Sequence, residues 1–284
     1  MDRILKVFFI TLLLTVCNGS FMQAVSSGSG TNPLTRPVSD KPSPQMPTFT
    51  FVYDNNPYRK GLETAWGFSC IVKGTDKTVL FDTGGDGKVL LANMGKLGIA
   101  PREIDAVVIS HIHGDHAGGL NSLLRENRRI VTYLPGSFPE PFRRDVEKQG
   151  AKADSVHGPV KICDDVYSTG ELGTEPGEQS LVVHTAKGLI IVTGCAHPGI
   201  VGVVRMVRER FGGEVLLVLG GLHLTGSGKG EIEAVITALK KLGVRHVAPC
   251  HCTGDTARML FKQAFREGFI DSGVGTVIDT ESLR

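Results

Sequence analysis

The chain has 284 residues, 41% of them hydrophobic and 21% charged, with 31 Lys+Arg against 29 Asp+Glu for a formal charge of +2. Such a chain can bury a core, which excludes wholesale disorder, collagen and coiled coil. A charge so near zero gives no long-range attraction to nucleic acid or to an anionic membrane surface, so the expected partner is a small-molecule substrate and no nucleic acid.

At the N-terminus, Arg3 and Lys6 precede an apolar run over residues 7–16, and small or polar residues follow. This is the charged, apolar, cleavable order of a secretory signal, expected over residues 1–24, and it predicts export to a periplasm or to the medium. The run is shorter than the ~20 apolar residues that span a bilayer. An uncleaved signal or a lipid on Cys17 is therefore the lesser reading, and no other membrane attachment is expected. Residues 25–47 run from a Ser/Gly-rich stretch into five prolines, a composition that cannot repay the entropy of ordering and reads as a tether. Residues 48–284 show no further composition shift and no internal repeat, so they read as one domain.

Within that domain, short β-branched runs predict strands at residues 49–53, 69–72, 78–81, 106–110, 130–133, 189–193, 215–219 and 244–249. Helical patterns lie between several of them. Residues 231–242 set Ile232, Val235, Ile236 and Leu239 on one face and stop at Gly243, and residues 255–267 are expected to be capped by Thr253 or Asp255 and to end at Gly268. Strands mixed with helices in this way predict a layered α/β domain, sheets at the centre and helices outside. The 36 glycines, well above the average usage of about 7%, predict many tight turns between these elements.

Directly after the predicted strand at 106–110 comes His111-Ile-His113-Gly-Asp115-His116, four metal-ligand types in six residues. His111 and His113 are two apart at a strand end and leave it on the same side, and Gly114 is expected to let the chain turn and bring Asp115 and His116 back. One short segment can then feed two neighbouring metal positions. A catalytic site of the zinc type needs about three protein ligands and an open position. Further histidines fall in the same context: His197 in Thr193-Gly-Cys-Ala-His-Pro-Gly199, His223 in Gly220-Gly-Leu-His-Leu224, and His251 in Pro249-Cys-His-Cys-Thr-Gly254, each at or just past a predicted strand. Six of the nine histidines lie in these four segments, while His157, His184 and His246 lack ligand-like company.

Phe81-Asp82-Thr-Gly84, the His111–His116 segment, His197 and His251, in that order, resemble the metallo-β-lactamase superfamily over essentially all of residues 48–284. The resemblance implies an αββα sandwich with a one- or two-metal site on its rim. Residues 110–120, 194–200, 220–224 and 249–254 together are similar to the branch named for dihydropterin ribofuranosyl-aminobenzene phosphate synthase, which contains methanopterin-pathway transferases and members of unassigned substrate. Carried over by motif, His111, His113 and His197 would form one metal position and Asp115, His116 and His251 the other, with Asp82 as the carboxylate that orients a ligand. Two departures stand out. Gly220-Gly221 occupies the place of the aspartate that bridges the metals in many members, leaving His223 as the nearby donor or substrate contact, and Trp66-Gly67 stands where the branch suggests His-Gly.

Neutral imidazoles with one carboxylate suit one or two Zn²⁺ ions and would also accept Mn²⁺ or Fe²⁺. Such a site acidifies water from a pKa of about 15.7 towards about 7 and polarises a carbonyl or phosphoryl oxygen, and Asp115 is expected both to ligate and to orient the water or accept its proton. The expected function is therefore an exported metal-dependent hydrolase of an ester, lactone, phosphoester or amide bond. A transferase like the synthase branch is the alternative, and a noncatalytic metal-binding module a third. Residues 225–230 resemble a phosphate loop but lack its first glycine and the Ser/Thr after Lys229, so a flexible loop with Lys229 as a contact for anionic substrate is the reading kept. Of the six cysteines, Cys195, Cys250 and Cys252 adjoin expected ligands; packing beneath the rim is the favoured role, with soft ligation or a bridge from Cys195 to Cys250 or Cys252 as alternatives.

Overall fold

The structure, a computed structural model, describes residues 46–284; the expected signal segment and the tether up to residue 45 lie outside the described residues. Six strands build most of a first sheet: β1 (Thr48–Asp54), β2 (Phe68–Lys73), β3 (Val79–Phe81), β4 (Ala106–Val108), β5 (Val131–Pro135) and β6 (Lys152–Val156). A second sheet follows with β7 (Val160–Cys163), β8 (Val166–Ser168), β9 (Leu181–Thr185), β10 (Gly188–Thr193), β11 (Val215–Gly221) and β12 (His246–Cys250), and β13 (Val277–Asp279) returns to the edge of the first beside β1. The helices are α1 (Gly87–Lys96), α2 (Gly114–Ala117), α3 (Leu120–Glu126), α4 (Glu140–Lys148), α5 (Ile200–Phe211), α6 (Lys229–Lys241) and α7 (Asp255–Phe265).

Strand alternation explains the layering. In β1 to β4, Phe49, Phe51, Cys70, Val72, Phe81 and Val108 point to the opposite sheet and meet Leu181, Val183, Ile190, Val192, Leu217 and Leu219. The residues between them, such as Ile71, Leu80 and Val107, point outward and pack with Leu90, Met94 and Leu124 of α1 and α3. On the second sheet Leu189, Ile191 and Val218 point outward to Val203, Val207, Ile232, Leu239 and Phe261 of α5, α6 and α7. Three apolar layers between four tiers of structure make the αββα sandwich. Among the described residues no helix is long and apolar enough to cross a membrane.

Strand direction matters most for the site. β3, β4, β5 and β6 run parallel, and β1 shares their direction because it is antiparallel to β2, which is antiparallel to β3. In the second sheet β10, β11 and β12 are parallel. The chain therefore leaves the ends of β1, β3, β4, β10, β11 and β12 in exit loops that carry every expected ligand, the crevice arrangement common in α/β sheets. Gln179 ties the two sheets together near these exits, donating from Nε2 to the carbonyls of Ile109 (2.9 Å) and Tyr133 (3.1 Å) and from its N–H to Ser110 (2.9 Å).

Two local expectations need correction. α7 begins after Gly254 (φ 80°) with no side-chain cap from Thr253 or Asp255; Thr253 is buried and spends its hydroxyl on the Cys250 carbonyl instead. Nor does Gly114 make the turn after His113: His113 is the extended N-cap (φ −60°, ψ 144°) and Gly114 is the first helical residue of α2.

Candidate metal centre

All six histidines of the four segments meet on the rim. The ring centroids of His111 and His113 are 4.6 Å apart, those of His111 and His197 4.8 Å, and those of His113 and His197 5.0 Å. A second group begins at His116, whose ring is 4.3 Å from His111 and 5.0 Å from His251. Asp115 Oδ2 stands between the latter two, 3.5 Å from His116 Nε2 and 3.4 Å from His251 Nε2. His223 is exposed but packs on His197 at 4.4 Å. Lys229 stands apart at the start of α6, where its Nζ lies 3.7 Å from Glu233. The remaining histidines make their contacts elsewhere: His184 on Tyr167 and Phe211, His246 with the Arg284 carbonyl, His157 exposed.

Exit loops with unusual backbone create this convergence. Among the described residues six that are not glycine have φ in the left-handed region, and four of them, Asp82 (57°), Ala196 (57°), His223 (52°) and His251 (43°), sit at the exits of β3, β10, β11 and β12. Such conformations persist where surrounding bonds over-determine them and cluster at functional sites. Here the bonds are plain. Buried Glu178 accepts from the N–H groups of Cys195 (2.9 Å), Ala196 (2.8 Å) and His197 (2.8 Å). Asp54 accepts from the N–H of His251 at 3.1 Å.

Hydrogen bonds on the outer nitrogens fix the tautomers. His116 donates from Nδ1 to Asp82 Oδ2 at 2.7 Å. The Ser110 hydroxyl gives its one proton to Asp82 Oδ2 (2.8 Å), so towards His111 Nδ1 (2.9 Å) it can only accept. His251 donates from Nδ1 to Asn55 Oδ1 at 2.8 Å, with the Asn55 amide set by its bond to the His251 carbonyl. In all three rings this turns Nε2 inward, where His111 Nε2 lies 3.0 Å from His113 Nδ1. Nε2 of His197 and of His251 are buried without any hydrogen-bond partner, which is costly unless something else binds there. His251, with its far nitrogen anchored on Asn55 and its near nitrogen without a hydrogen-bond partner, has the arrangement a metal ligand requires.

Electrostatics agree. Burial, reinforced by the neighbouring His116, His197 and His113, holds His111 far below the usual imidazole range. Burial, with His223 and His113, brings His197 down to about 4. Both are thus neutral donors at neutral pH. Burial of Asp115 opposes ionisation, but His251 and His116 outweigh it and hold its carboxyl well below the usual carboxylate range. Burial of His116 likewise opposes charge, and Asp82 outweighs it to leave His116 raised. Burial raises Glu178 against the pull of its three N–H donors.

Cys195 lies inside this cluster rather than beneath it. Its Sγ is 3.3 Å from His116 Nε2. It forms a ligand-distance group, all donor atoms within 4.8 Å, with His111 and His197, a second with His116 and His251, and a third with His223 and Cys252. A hydrogen bond from Cys195, against the effect of burial, holds the Cys252 thiol down at about 7, and the same bond holds Cys195 up. The described cysteines are all free thiols, so neither expected bridge is formed. Trp66, 55% exposed, covers the His251 ring at 5.0 Å and forms the open lip of the site. Glu178, Asp54, Asn55 and Cys195 are the contributors that sequence reasoning missed or set aside. The adjacency of Cys195 to His197 was the one signal available.

The fold and this cluster agree with the comparisons to known proteins. The profile of the Metallo-beta-lactamase superfamily matches residues 67–234. The chain is 30% identical over 279 residues to the 7,8-dihydropterin-6-methyl-4-(beta-D-ribofuranosyl)-aminobenzene-5'-phosphate synthase of Methanocaldococcus jannaschii, covering 81% of this chain and 95% of that protein. Among solved structures it is similar to Tm1679, described as a metal-dependent hydrolase of the beta-lactamase superfamily, with 29% identity, a TM-score of 0.68 and coverage of 82% of this chain and 98% of that one. An N-acyl homoserine lactonase, AttM of Rhizobium radiobacter, is 29% identical over 117 residues, covering 36% of this chain and 44% of that protein. The chain belongs to the metallo-β-lactamase superfamily.

Proposed function

We propose that this chain is an exported, metal-dependent hydrolase of a small molecule, cleaving an ester-, lactone-, phosphoester- or amide-type bond. The observation that carries this reading is the set of inward-facing imidazole nitrogens, two of them buried and unpartnered, around the anionic Asp115. His111, His113 and His197 would hold one divalent cation, and Asp115, His116 and His251 a second, with zinc favoured and manganese or iron compatible with the same donors. When bound, such ions supply Lewis acidity, acidifying water and polarising the oxygen of the scissile group. The chain's own groups do the rest. Asp115, held low, is a weak base and is suited to orienting water through an accepted hydrogen bond rather than to storing its proton. Trp66 and His223, both exposed at the lip, are placed to contact substrate, and Lys229 is the more distant cation for an anionic one.

The synthase-like transferase reading has the 30% identity over most of both chains in its favour. The signal-like order of residues 1–24 supports hydrolysis instead, because pterin precursors are made and used in the cytoplasm. A deciding experiment loads the purified chain with zinc, measures bound metal, and screens esters, lactones, phosphodiesters and β-lactams beside a pyrophosphate-release assay with a dihydropterin donor. Turnover in the hydrolytic panel, abolished by chelation and by His113→Ala with Asp115→Ala, is the expected result. Pyrophosphate release alone would establish the transferase, and metal binding without turnover in either assay the noncatalytic module.

A further inference from the structure

Two neighbouring metal positions can share one protein ligand, and the chain has Gly220 and Gly221 where the family resemblance places a bridging carboxylate. The structure closes that place. A Cβ on Gly221 would collide with the Gly194 carbonyl and lie 2.8 Å from Cys252 Sγ, and one on Gly220 would collide with the Thr193 carbonyl. No carboxylate fits there without displacing backbone. The side chain that stands between the two histidine groups is Cys195, among the described residues the one common to His111/His197 and to His116/His251 within ligand distance.

Geometry suits the part. Two ligands of one tetrahedral zinc, with Zn–S about 2.3 Å and Zn–N about 2.1 Å, stand about 3.6 Å apart, and Cys195 Sγ lies 3.3 Å from His116 Nε2. Cys195 is only 4% exposed, and its N–H is pinned by Glu178 at 2.9 Å, so the sulfur is held in place before any metal arrives. We propose that the Cys195 thiolate is the shared ligand of a two-metal centre, filling the role of the absent carboxylate, with the space at Gly221 given to the neighbouring Cys252. On binding, Cys195 loses its thiol proton to solvent and forms a sulfur bond to each ion, with no electron transferred. This rests on the reading that the two histidine groups hold metals.

Cobalt(II) titration of the metal-free full chain separates the two ideas. The wild type is expected to bind two equivalents and to develop thiolate-to-cobalt charge-transfer absorption in the near ultraviolet. Cys195→Ala is expected to lose that absorption and one of the two equivalents, while Cys252→Ala keeps both. The zinc-loaded wild type, examined by X-ray absorption, is expected to show a zinc–sulfur shell near ~2.3 Å, a readout that needs no variant to fold. Two bound cobalt ions without thiolate absorption, or absorption that survives Cys195→Ala and disappears in Cys252→Ala, would overturn the shared thiolate and leave the histidine reading standing. Failure of the wild type to bind cobalt at all would overturn both.

Discussion

Asp82 Oδ2 accepts a hydrogen bond from His116 Nδ1 at 2.7 Å, with both side chains fully buried. The same carboxylate accepts from the Ser110 N–H (2.6 Å) and hydroxyl (2.8 Å), and that hydroxyl in turn accepts from His111. One side chain thus orients histidines of both groups. Asp82→Asn keeps the shape but turns one acceptor into a donor facing N–H and O–H groups. Metal affinity is expected to fall about 10- to 100-fold, measured by competition with a chromophoric chelator. Unchanged affinity would show that neither ring needs this carboxylate to bind metal.

Glu178 holds the exit of β10 through three backbone N–H groups. Replacing it by glutamine sets an amide N–H₂ against at least one of those donors, leaving it buried and unpaired. Glu178→Gln is expected to lower stability by about 1–3 kcal/mol and to weaken metal binding with it, because Cys195 and His197 ride on that loop. Urea unfolding of the metal-free chain measures the first effect and chelator competition the second. A variant as stable as the wild type would mean that ordered water takes over the three N–H groups.

How far the sequence could be read follows from what each residue has to do. The histidines were legible because each donor is a side chain in a short segment directly after an apolar strand. The partners that aim them were not. Glu178 works by accepting from backbone N–H groups of a loop 17 to 19 residues away, and Asn55 reaches His251 across 196 positions; neither leaves a local pattern. Strands divide in the same way. β1, β10 and β11 fall near their expected bounds, and the three-residue β3 and β4 are legible too because all their residues are apolar and buried. β7, β8 and β13 instead mix polar residues into four, three and three positions, too few for alternation to register. β9, Leu181–Thr185, is an apolar run absent from the expected strands. β6, Lys152–Val156, is a polar edge strand with one buried residue, and edges of that kind resemble loops.

Gly221 tests whether the missing carboxylate could be restored. Its absent side chain leaves room for the Gly194 carbonyl and for Cys252 Sγ. Gly221→Ala is expected to cost about 1–3 kcal/mol through overpacking, and Gly221→Asp at least as much without gaining a bridge. Gly202, whose Cβ would meet nothing within 4 Å, lies in α5 and supplies the control, since Gly202→Ala should be neutral or stabilising. Thermal unfolding of the three variants side by side gives the answer. Equal behaviour at 221 and 202 would mean that the β11 exit can relax to admit a side chain.

Acid should loosen the metal-free chain before it protonates most carboxylates. His197 is held down to about 4, first by burial and then by His223 and His113, and His111 is held lower still, whereas an unperturbed imidazole titrates at 6.5. The unfolded chain therefore binds protons at these two positions more readily than the folded one. Their contribution to stability is fully present above pH 6.5 and is lost as the pH falls towards 4. His116 has the opposite sign: raised by Asp82 despite its burial, it stabilises the fold fully below 6.5 and loses that effect as the pH rises through its folded pKa. Below 6.5 the His116 contribution is constant, so the two depressed histidines set the decline, opposed only as the pH falls through the folded pKa of Glu178 and Asp54, both raised by burial. Asp115, held low against its burial by His251 and His116, adds its own loss only below the carboxylate range. The melting temperature of the metal-free chain is expected to drop between pH 6.5 and 4, and His197→Gln, which cannot take a proton, should flatten the profile. With zinc bound the wild-type drop should be steeper, because protons then also compete with the metal for the same nitrogens. A melting temperature that stays level from pH 7 to 4.5, or a profile indifferent to His197→Gln, would show that these rings are not buried as neutral donors.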